Sequence, residues 1–520
     1  MLVAPLRFVY TIIRNYIPVN SKSTEILIIF TFFNNCHINF SSVLFASTLI
    51  NGKILDNKLL IKEGKKMKVV KFGGSSLANG ESFEHAISII NAQPERQIVV
   101  TSAPGKRFKD DIKVTDLLIN YANAVLKHND YSVIQNDIFS RYEEIGQYFG
   151  VDRAALSTIH QIIVELPNKD YPNDDYLMAA FKAHGERLNA RLMALVLQKK
   201  GINARFVDPK EAGLIVDGEP NNAIVDPQTY VNLAHFDYQN DEKLIFPGFF
   251  GFTIDGNIAT FSRGGSDITG AILARGFNAD LYENFTDVDA IFSANPALVD
   301  HPQPIKRMTY REMRELSYAG FSVFHDEALI PAIQGNIVVN VKNTQAPEKP
   351  GTLIVPNQGF KPQQIVTGIA GGKHYAALYL HKYLLNREAG FTLKILEILN
   401  KYGVPYEHMP SGIDDITIIF DRKLISDDMV QTICDEVKAT VNPDSLEWID
   451  DYAIIMVVGE GMLNRVGVAA GIFDELAAQN IRISMINQGA SRISIMIGTY
   501  KKDADNAIRA IYRHFFPKNN

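Results

Sequence analysis

From position 67 onward, short apolar runs alternate with longer stretches whose apolar residues fall at helical spacing. Val69-Val70, with Lys71-Phe72 completing the run, predicts a buried strand; helical spacing covers 83–91; Gln97-Ile98-Val99-Val100 predicts the next strand. That order argues for a mostly parallel sheet covered by helices. Helical stretches then dominate up to Gly185-Glu186-Arg187-Leu188, which opens a helix to about Leu197 with Arg187 and Arg191 on one face. Strands are predicted at Ala204-Arg205-Phe206-Val207 and Leu244-Ile245-Phe246. The latter ends in the turn Pro247-Gly248-Phe249-Phe250-Gly251, and open α/β sheets bind ligands at such carboxyl ends.

Lys349-Pro350-Gly351 and Pro356-Asn357-Gln358-Gly359 interrupt the pattern and mark the end of a first domain, 67–355. A weak internal repeat follows. Strand 366–380, helix 391–402, strands around 405–407 and 416–420 and helix 426–439 form one set; strand 453–458, helix 465–479, strands 481–487 and 492–499 and helix 503–515 form the other. Two ferredoxin-like βαββαβ units are expected, at 356–440 and 441–520.

The 520 residues, 46% hydrophobic and 21% charged, suffice for two or more packed cores. A net charge of -6 supplies no basic field for nucleic acid and favours small-molecule chemistry. Cys36 and Cys434 match neither a zinc pattern nor a redox pair, which points to a reducing cytoplasm. Residues 1–66 read differently. Their apolar runs, such as Ile26-Leu27-Ile28-Ile29-Phe30, fall short of the roughly 20 residues a bilayer span needs. Arg7 and Arg14 interrupt the first run, which argues against a signal peptide, so 1–66 is expected to be an upstream extension with Met67 as the true start.

Candidate chemistry gathers at turns that follow strands. In Lys68-Val69-Val70-Lys71-Phe72-Gly73-Gly74-Ser75-Ser76 a strand runs into paired glycines, whose missing Cβ lets backbone N–H groups approach an anion, with a lysine in reach of phosphates. A helix start just beyond would add its dipole. This is not a Walker A loop, because the lysine precedes the glycines. Ser262-Arg263-Gly264-Gly265-Ser266-Asp267 combines paired glycines, a capping Ser-Asp and an arginine suited to carboxylate or phosphate. Thr286-Asp287 ends a third strand and suits adenine or ribose, or a local turn. Lys106 to Asp111 is a charged loop, read either as a solvated turn or as a flap beside the substrate, and Thr115-Asp116 looks like the cap of the next helix. Gly459-Glu460-Gly461 is not a dinucleotide fingerprint, since the G-x-G-x-x-G spacing fails at Asn464.

With Lys71 to Ser76, Gly185-Glu186, Ser262 to Asp267, Thr286 to Asp289, Gly320 to His325, Asn343-Thr344 and Pro350 to Ile354 in this order, the chain resembles aspartate kinases of the amino-acid kinase superfamily from Met67 onward. The resemblance implies a three-layer α/β/α sandwich with a mostly parallel sheet followed by paired ACT domains. It implies transfer of the γ-phosphoryl of ATP to L-aspartate, the entry to lysine, threonine and methionine, with Mg2+ carried by ATP and no protein metal cage. Lys71 and Asp267 would be catalytic; Thr115, Glu186, Arg263 and Ser266 would hold aspartate; Lys71, Gly73, Gly74, Ser75, Thr286, Asp287 and Phe292 would face ATP. Glu407, Met409 and Ser411 match an effector loop for lysine or threonine, and the ACT units imply a homodimer or higher homo-oligomer, with no nucleic-acid or membrane partner. Phe292, Ala297 and Ser322 depart from the tyrosine, arginine and lysine of many relatives, and Lys306 or Arg307 would have to compensate. A catalytically silent amino-acid sensor and a kinase for another amino acid are the alternatives.

Overall fold

The structure, a computed structural model, describes residues 49–50, 53–54 and 66–517 except 263, 322, 325 and 326. The chain divides into two compact units, Met1–Gly64 and Lys65–Asn520. In the first, Leu49–Ile50 pairs antiparallel with Lys53–Ile54; residues 1–48, 51–52 and 55–65 of the expected extension lie outside the described residues.

The second unit begins with an eight-stranded sheet made of β1 (Lys68–Phe72), β2 (Arg96–Thr101), β3 (Ala204–Phe206), β4 (Lys243–Pro247), β5 (Leu281–Thr286), β6 (Arg307–Thr309), β7 (Val339–Asn343) and β8 (Thr352–Val355). Their order is β6-β8-β7-β5-β1-β2-β4-β3, and every neighbouring pair is parallel except β7 with β8. The sheet is buried on both faces because successive residues serve different cores. Val69, Ile98, Val100 and Phe246 pack on one side; Val70, Phe72, Val99 and Ile245 pack on the other.

The second of these sides is covered by α1 (Gly80–Ala92), α2 (Val114–Leu126), α3 (Ser132–Tyr148), α4 (Arg153–Glu165) and α5 (Asp174–Lys199). The first side is covered by α6 (Gln228–Ala234), α7 (Gly265–Gly276), α8 (Tyr310–Tyr318) and α9 (Leu329–Gly335). Local chemistry starts these helices: Asn79 and Asn173 accept from the amides of Ser82 and Tyr176, and Thr309 with Glu312 makes a capping box.

The remainder builds one five-stranded antiparallel sheet from β9 (Gly368–His381), β10 (Asp415–Asp421), β11 (Ser445–Val458), β12 (Met485–Asn487) and β13 (Ser494–Thr499), in the order β10-β9-β11-β13-β12. Here β9 and β11, 14 residues each, run through two cores. Leu378, Leu380, Ile416 and Phe420 pack under α10 (Phe391–Lys401) and α11 (Asp427–Val441); Ile369, Ile455, Val457 and Ile497 pack under α12 (Val468–Ala478) and α13 (Ala504–Phe515). A register shift between Gly372 and Tyr375 lets one strand serve both. The strand expected around 405–407 is absent. Pro405 and Pro410 lack donors, and two isolated bridges, His408 with Ile419 and Ser411 with Ile416, survive along that segment.

Gly459-Glu460-Gly461 proves to be a seam between the two sheets. A Cβ at Gly459 or Gly461 would lie 2.3 or 2.1 Å from the carbonyls of Ile365 and Gln364, so only glycine allows the close approach. Glu460 accepts from Thr309 Oγ1 at 3.1 Å and from the Arg311 guanidinium at 2.8–3.1 Å. Its N–H donates at 2.8 Å to Glu312, which also accepts from Thr309 N and Thr367 Oγ1. Among the described residues no helix is long and apolar enough to cross a membrane.

Candidate active site

At the carboxyl end of the central strand β1 the apolar pattern yields to Lys71, which is buried. Its Nζ lies 2.6 Å from Oδ1 of Asp267, in the first turn of α7. The same oxygen accepts from Asn284 Nδ2 at 2.9 Å, and Asn284 sits on β5 directly opposite Lys71 in the register. Three elements therefore meet on one carboxylate, which fixes the ammonium at the carboxyl end of the sheet's strands. The family resemblance named Lys71 and Asp267 together; Asn284 escaped it, because a strand asparagine gains meaning only from its neighbour in the sheet.

The glycine turn continues from the lysine. Gly73 donates to the carbonyl of Phe285 at 3.1 Å, and a Cβ there would lie 3.7 Å from Lys71 Nζ, so the turn opens beside the ammonium. Gly74 lies against Ala103 and Gly105: a Cβ on Gly74 would be 2.9 Å from the Ala103 carbonyl, and one on Gly105 would be 2.6 Å from Gly74 C. Gly105 N–H donates to Gly74 O at 2.8 Å. Ser75 is exposed and starts a single 3-10 turn, Ser75–Leu77. The helix expected directly after the glycines begins instead at Gly80, because Asn79 supplies the cap.

Glu186 faces this turn from α5. It is buried, and its Oε2 has no hydrogen-bond partner among the described residues. Burial pushes its carboxyl up to about 8, against the backbone N–H groups of Ala103 and Glu186 itself and the charges of Lys71 and Lys182. Thr115 is close by, since a Cβ on Gly185 would come within 2.8 Å of Ala103 Cβ and 3.9 Å of Thr115 Oγ1. Ser266 packs on Gly248, where a Cβ would meet its Oγ at 2.6 Å. The next residue, Phe249, holds a left-handed φ of 82°, a rare and strained conformation for a bulky side chain. Its ring packs against Gly265, and Lys182 Nζ lies 5.8 Å from the ring centroid. Lys182 was missed by sequence reasoning; its signal is the four-residue spacing from Glu186 on one helix. Arg263 lies outside the described residues, as do Ser322 and His325.

Of the residues expected to face ATP, Thr286 ends β5 with its Oγ1 donating to Asp287 Oδ1 at 3.2 Å, while its carbonyl accepts from Thr344 N. Phe292 is half-buried in a bridge with Pro304. Lys306 and Arg307, considered as replacement cations, line a cavity of about 330 Å³ with Phe360 and Gln364, and none of the residues expected to face ATP lines it. No cluster of three or more His, Cys, Asp or Glu residues suited to a metal ion occurs among the described residues.

The three residues expected to form an effector loop fall in different surroundings. Glu407 is tied by its N–H to Ile419 O and by its carbonyl to the Tyr318 hydroxyl of α8. Met409 packs onto the core under α10 and α11. Ser411 lines a cavity of about 670 Å³ with Tyr379, Asp415, Tyr452 and Arg482.

Comparison with known proteins follows the same division. The amino acid kinase family matches residues 66–343, and an ACT domain matches 455–515. Aspartokinase 3 of Bacillus subtilis is 45% identical over 450 residues, covering 86% of this chain and 99% of that protein. The solved aspartate kinase of Clostridium acetobutylicum superposes with a TM-score of 0.74 at 36% identity, over 86% of this chain and all of that one. Aspartokinase III of E. coli, solved with aspartate and ADP, shares the fold with a TM-score of 0.71 at 22% identity, over 87% of this chain and all of that one. An amino acid kinase domain with a lysine–aspartate pair at the end of its central strand, an ACT tail behind it and this similarity along both together place the chain in the aspartokinase family.

Proposed function

We propose that the chain transfers the γ-phosphoryl of ATP to the β-carboxylate of L-aspartate, giving 4-phospho-L-aspartate, at the site built around Lys71. The observation that carries this reading is the Lys71–Asp267–Asn284 cluster beside the Gly73-Gly74 turn, faced by a buried carboxyl with an unpaired oxygen. The acceptor carboxylate, with an ordinary pKa near 3.9, is ionised at neutral pH, so the reaction needs no general base. Its demands are in-line positioning of two anions and neutralisation of the charge they bring together. Lys71 supplies the charge, held in place by Asp267; Gly73, Gly74 and Ser75 offer backbone donors to the phosphates. Glu186 takes the ammonium of aspartate, with Thr115, Ser266 and Arg263 completing that side. Thr286, Asp287 and Phe292 border the nucleotide. Mg2+ travels with ATP and offsets phosphate charge; the carboxylate nearest Lys71, that of Asp267, is already engaged by Lys71 and Asn284, which suits an ion held mainly by its substrate.

The division into 67–355 for catalysis and 356–440 and 441–520 for regulation belongs to the same reading. Lysine or threonine acts on the tail at Glu407, Met409 and Ser411 by biasing two packings of the molecule. Assembly runs through the ACT units to a homodimer or larger homo-oligomer in the cytoplasm. The test is ATP-dependent aspartyl phosphate, trapped with hydroxylamine, for the parent and Lys71→Ala, each with and without lysine or threonine. Turnover should drop on the order of 10²–10³-fold in the variant, as when one preorganised charge-stabilising group is removed. A folded parent without turnover would leave an amino-acid-binding tail on a silent kinase domain.

A further inference from the structure

The loop between β2 and α2 contains a buried charge cluster that the chemistry above does not use. Arg141, on α3, is only 3% exposed. Its Nη2 donates to the carbonyl of Gly105 at 2.6 Å and its Nη1 to the carbonyl of Ile112 at 3.0 Å, so one guanidinium grips both ends of the Lys106–Asp111 segment. Nη1 also lies 3.0 Å from Oδ2 of Asp111, which accepts from Arg107 N–H and Nε at 2.9 and 3.0 Å. Arg107 in turn reaches Glu144 on α3 at 2.9 Å. These contacts hold the Asp111 carboxyl well below the usual carboxylate range, so the cluster keeps its charge through the physiological range. Nε of Arg141 is buried without a partner among the described residues. A loop secured only for stability has little reason to bury a guanidinium with a donor unmet.

The two carbonyls that Arg141 grips are those that matter to the site. Gly105 is the residue pressed on Gly74, to which it donates at 2.8 Å. Ile112 stands directly before Lys113 and α2, whose second residue is Thr115, the neighbour of Gly185-Glu186. Val114 N–H closes the loop onto the Pro104 carbonyl at 3.2 Å.

We propose that Arg141 is a positioning residue for phosphoryl transfer: by drawing Gly105 and Ile112 together it sets the phosphate-facing turn through Gly74 and the aspartate side through Thr115. The inference rests on the assignment of the Gly73-Gly74 turn to the phosphates of ATP. A guanidinium is required because it alone offers planar donors to two carbonyls and a carboxylate at once; lysine, a point charge, reaches fewer of them.

The experiment compares the parent with Arg141→Lys and Arg141→Met by three readouts: MgATP affinity by calorimetry, kcat and both KM values by the hydroxamate assay, and the rate of tryptic cleavage after Lys106, Arg107 and Lys109. Arg141→Lys should melt as one cooperative unit and lose kcat/KM on the order of 10- to 100-fold, as expected when reacting groups are misplaced by about 1 Å. Cleavage within 106–109 should quicken, and millimolar guanidinium should restore part of the activity of Arg141→Met without affecting the parent. A merely structural role would lower the melting temperature and leave kcat per folded molecule and MgATP affinity unchanged; that result in Arg141→Lys, with parental cleavage, overturns the proposal. A parent that binds no MgATP overturns it together with the reading beneath it, whereas a parent that binds and turns over leaves the Arg141 variants to decide this point alone.

Discussion

If Glu186 receives the ammonium of aspartate, the buried carboxyl makes aspartate binding depend on pH in a calculable way. Free, its carboxyl is held at about 8 by burial. About one molecule in ten then has Glu186 ionised at pH 7, about one in a hundred at pH 6 and about half at pH 8. The substrate's ammonium favours the ionised form, so binding must expel a proton from most molecules. The dissociation constant for aspartate should therefore fall about 50-fold from pH 6 to pH 8, approaching 1.4 kcal/mol per unit at the acid end. Calorimetry in two buffers of different ionisation enthalpy should report release of about 0.9 proton per aspartate at pH 7. Glu186→Gln, isosteric with the protonated acid, should bind at pH 8 at least as weakly as the parent binds at pH 6, with no buffer dependence. A parent whose affinity is equal at both pH values, without proton release, would refute the placement of the ammonium on Glu186. Folding carries the opposite sign. A carboxyl raised in the folded state contributes stability that is complete below its unfolded pKa of about 4.3 and is lost as pH rises through about 8. The ligand-free protein should thus lose up to about 1.4 kcal/mol per pH unit in that window, a slope absent from Glu186→Gln.

Two further substitutions test close approaches and buried charge. Gly105→Ala places a Cβ 2.6 Å from the Gly74 backbone, and the forced separation of the two turns should depress kcat/KM for ATP by at least about tenfold; parental kinetics would show that the contact is dispensable. Glu460→Ala strips a buried acceptor from Arg311 and Thr309, and should cost about 2–3 kcal/mol in urea denaturation, the range for hydrogen bonds to charged groups; a midpoint unchanged within error would mean that water replaces the carboxylate without loss.

Much of this molecule can be read along the chain. Strands such as Val69-Val70 and Ile98-Val99-Val100 announce themselves because burial on both faces demands continuous apolar runs, and the paired glycines Gly73-Gly74 mark the turn that follows the first of them. The order of elements and the partners Lys71, Glu186 and Asp267 follow from such local signals together with the family likeness. The tail was harder to read. A period-2 pattern says that a strand exists, not that β9 shifts register near Gly372 and serves two cores.

What the chain could not disclose are meetings between residues distant in sequence, because side-chain chemistry depends on neighbours and dielectric that only packing creates. Asn284 is an ordinary strand residue until β5 lies beside β1 and directs it to Asp267. Glu186 would titrate as any helix glutamate were it not sealed beneath Ala103. Arg141 is one of many helix arginines until Gly105 and Ile112 close around it, and Glu460 gains its role only where the two sheets touch. Sequence by itself determined which elements form and what they can do chemically, through periodicity and backbone preference. The tertiary structure decided which of those groups are dehydrated and paired, and that is what sets charge, position and hence function.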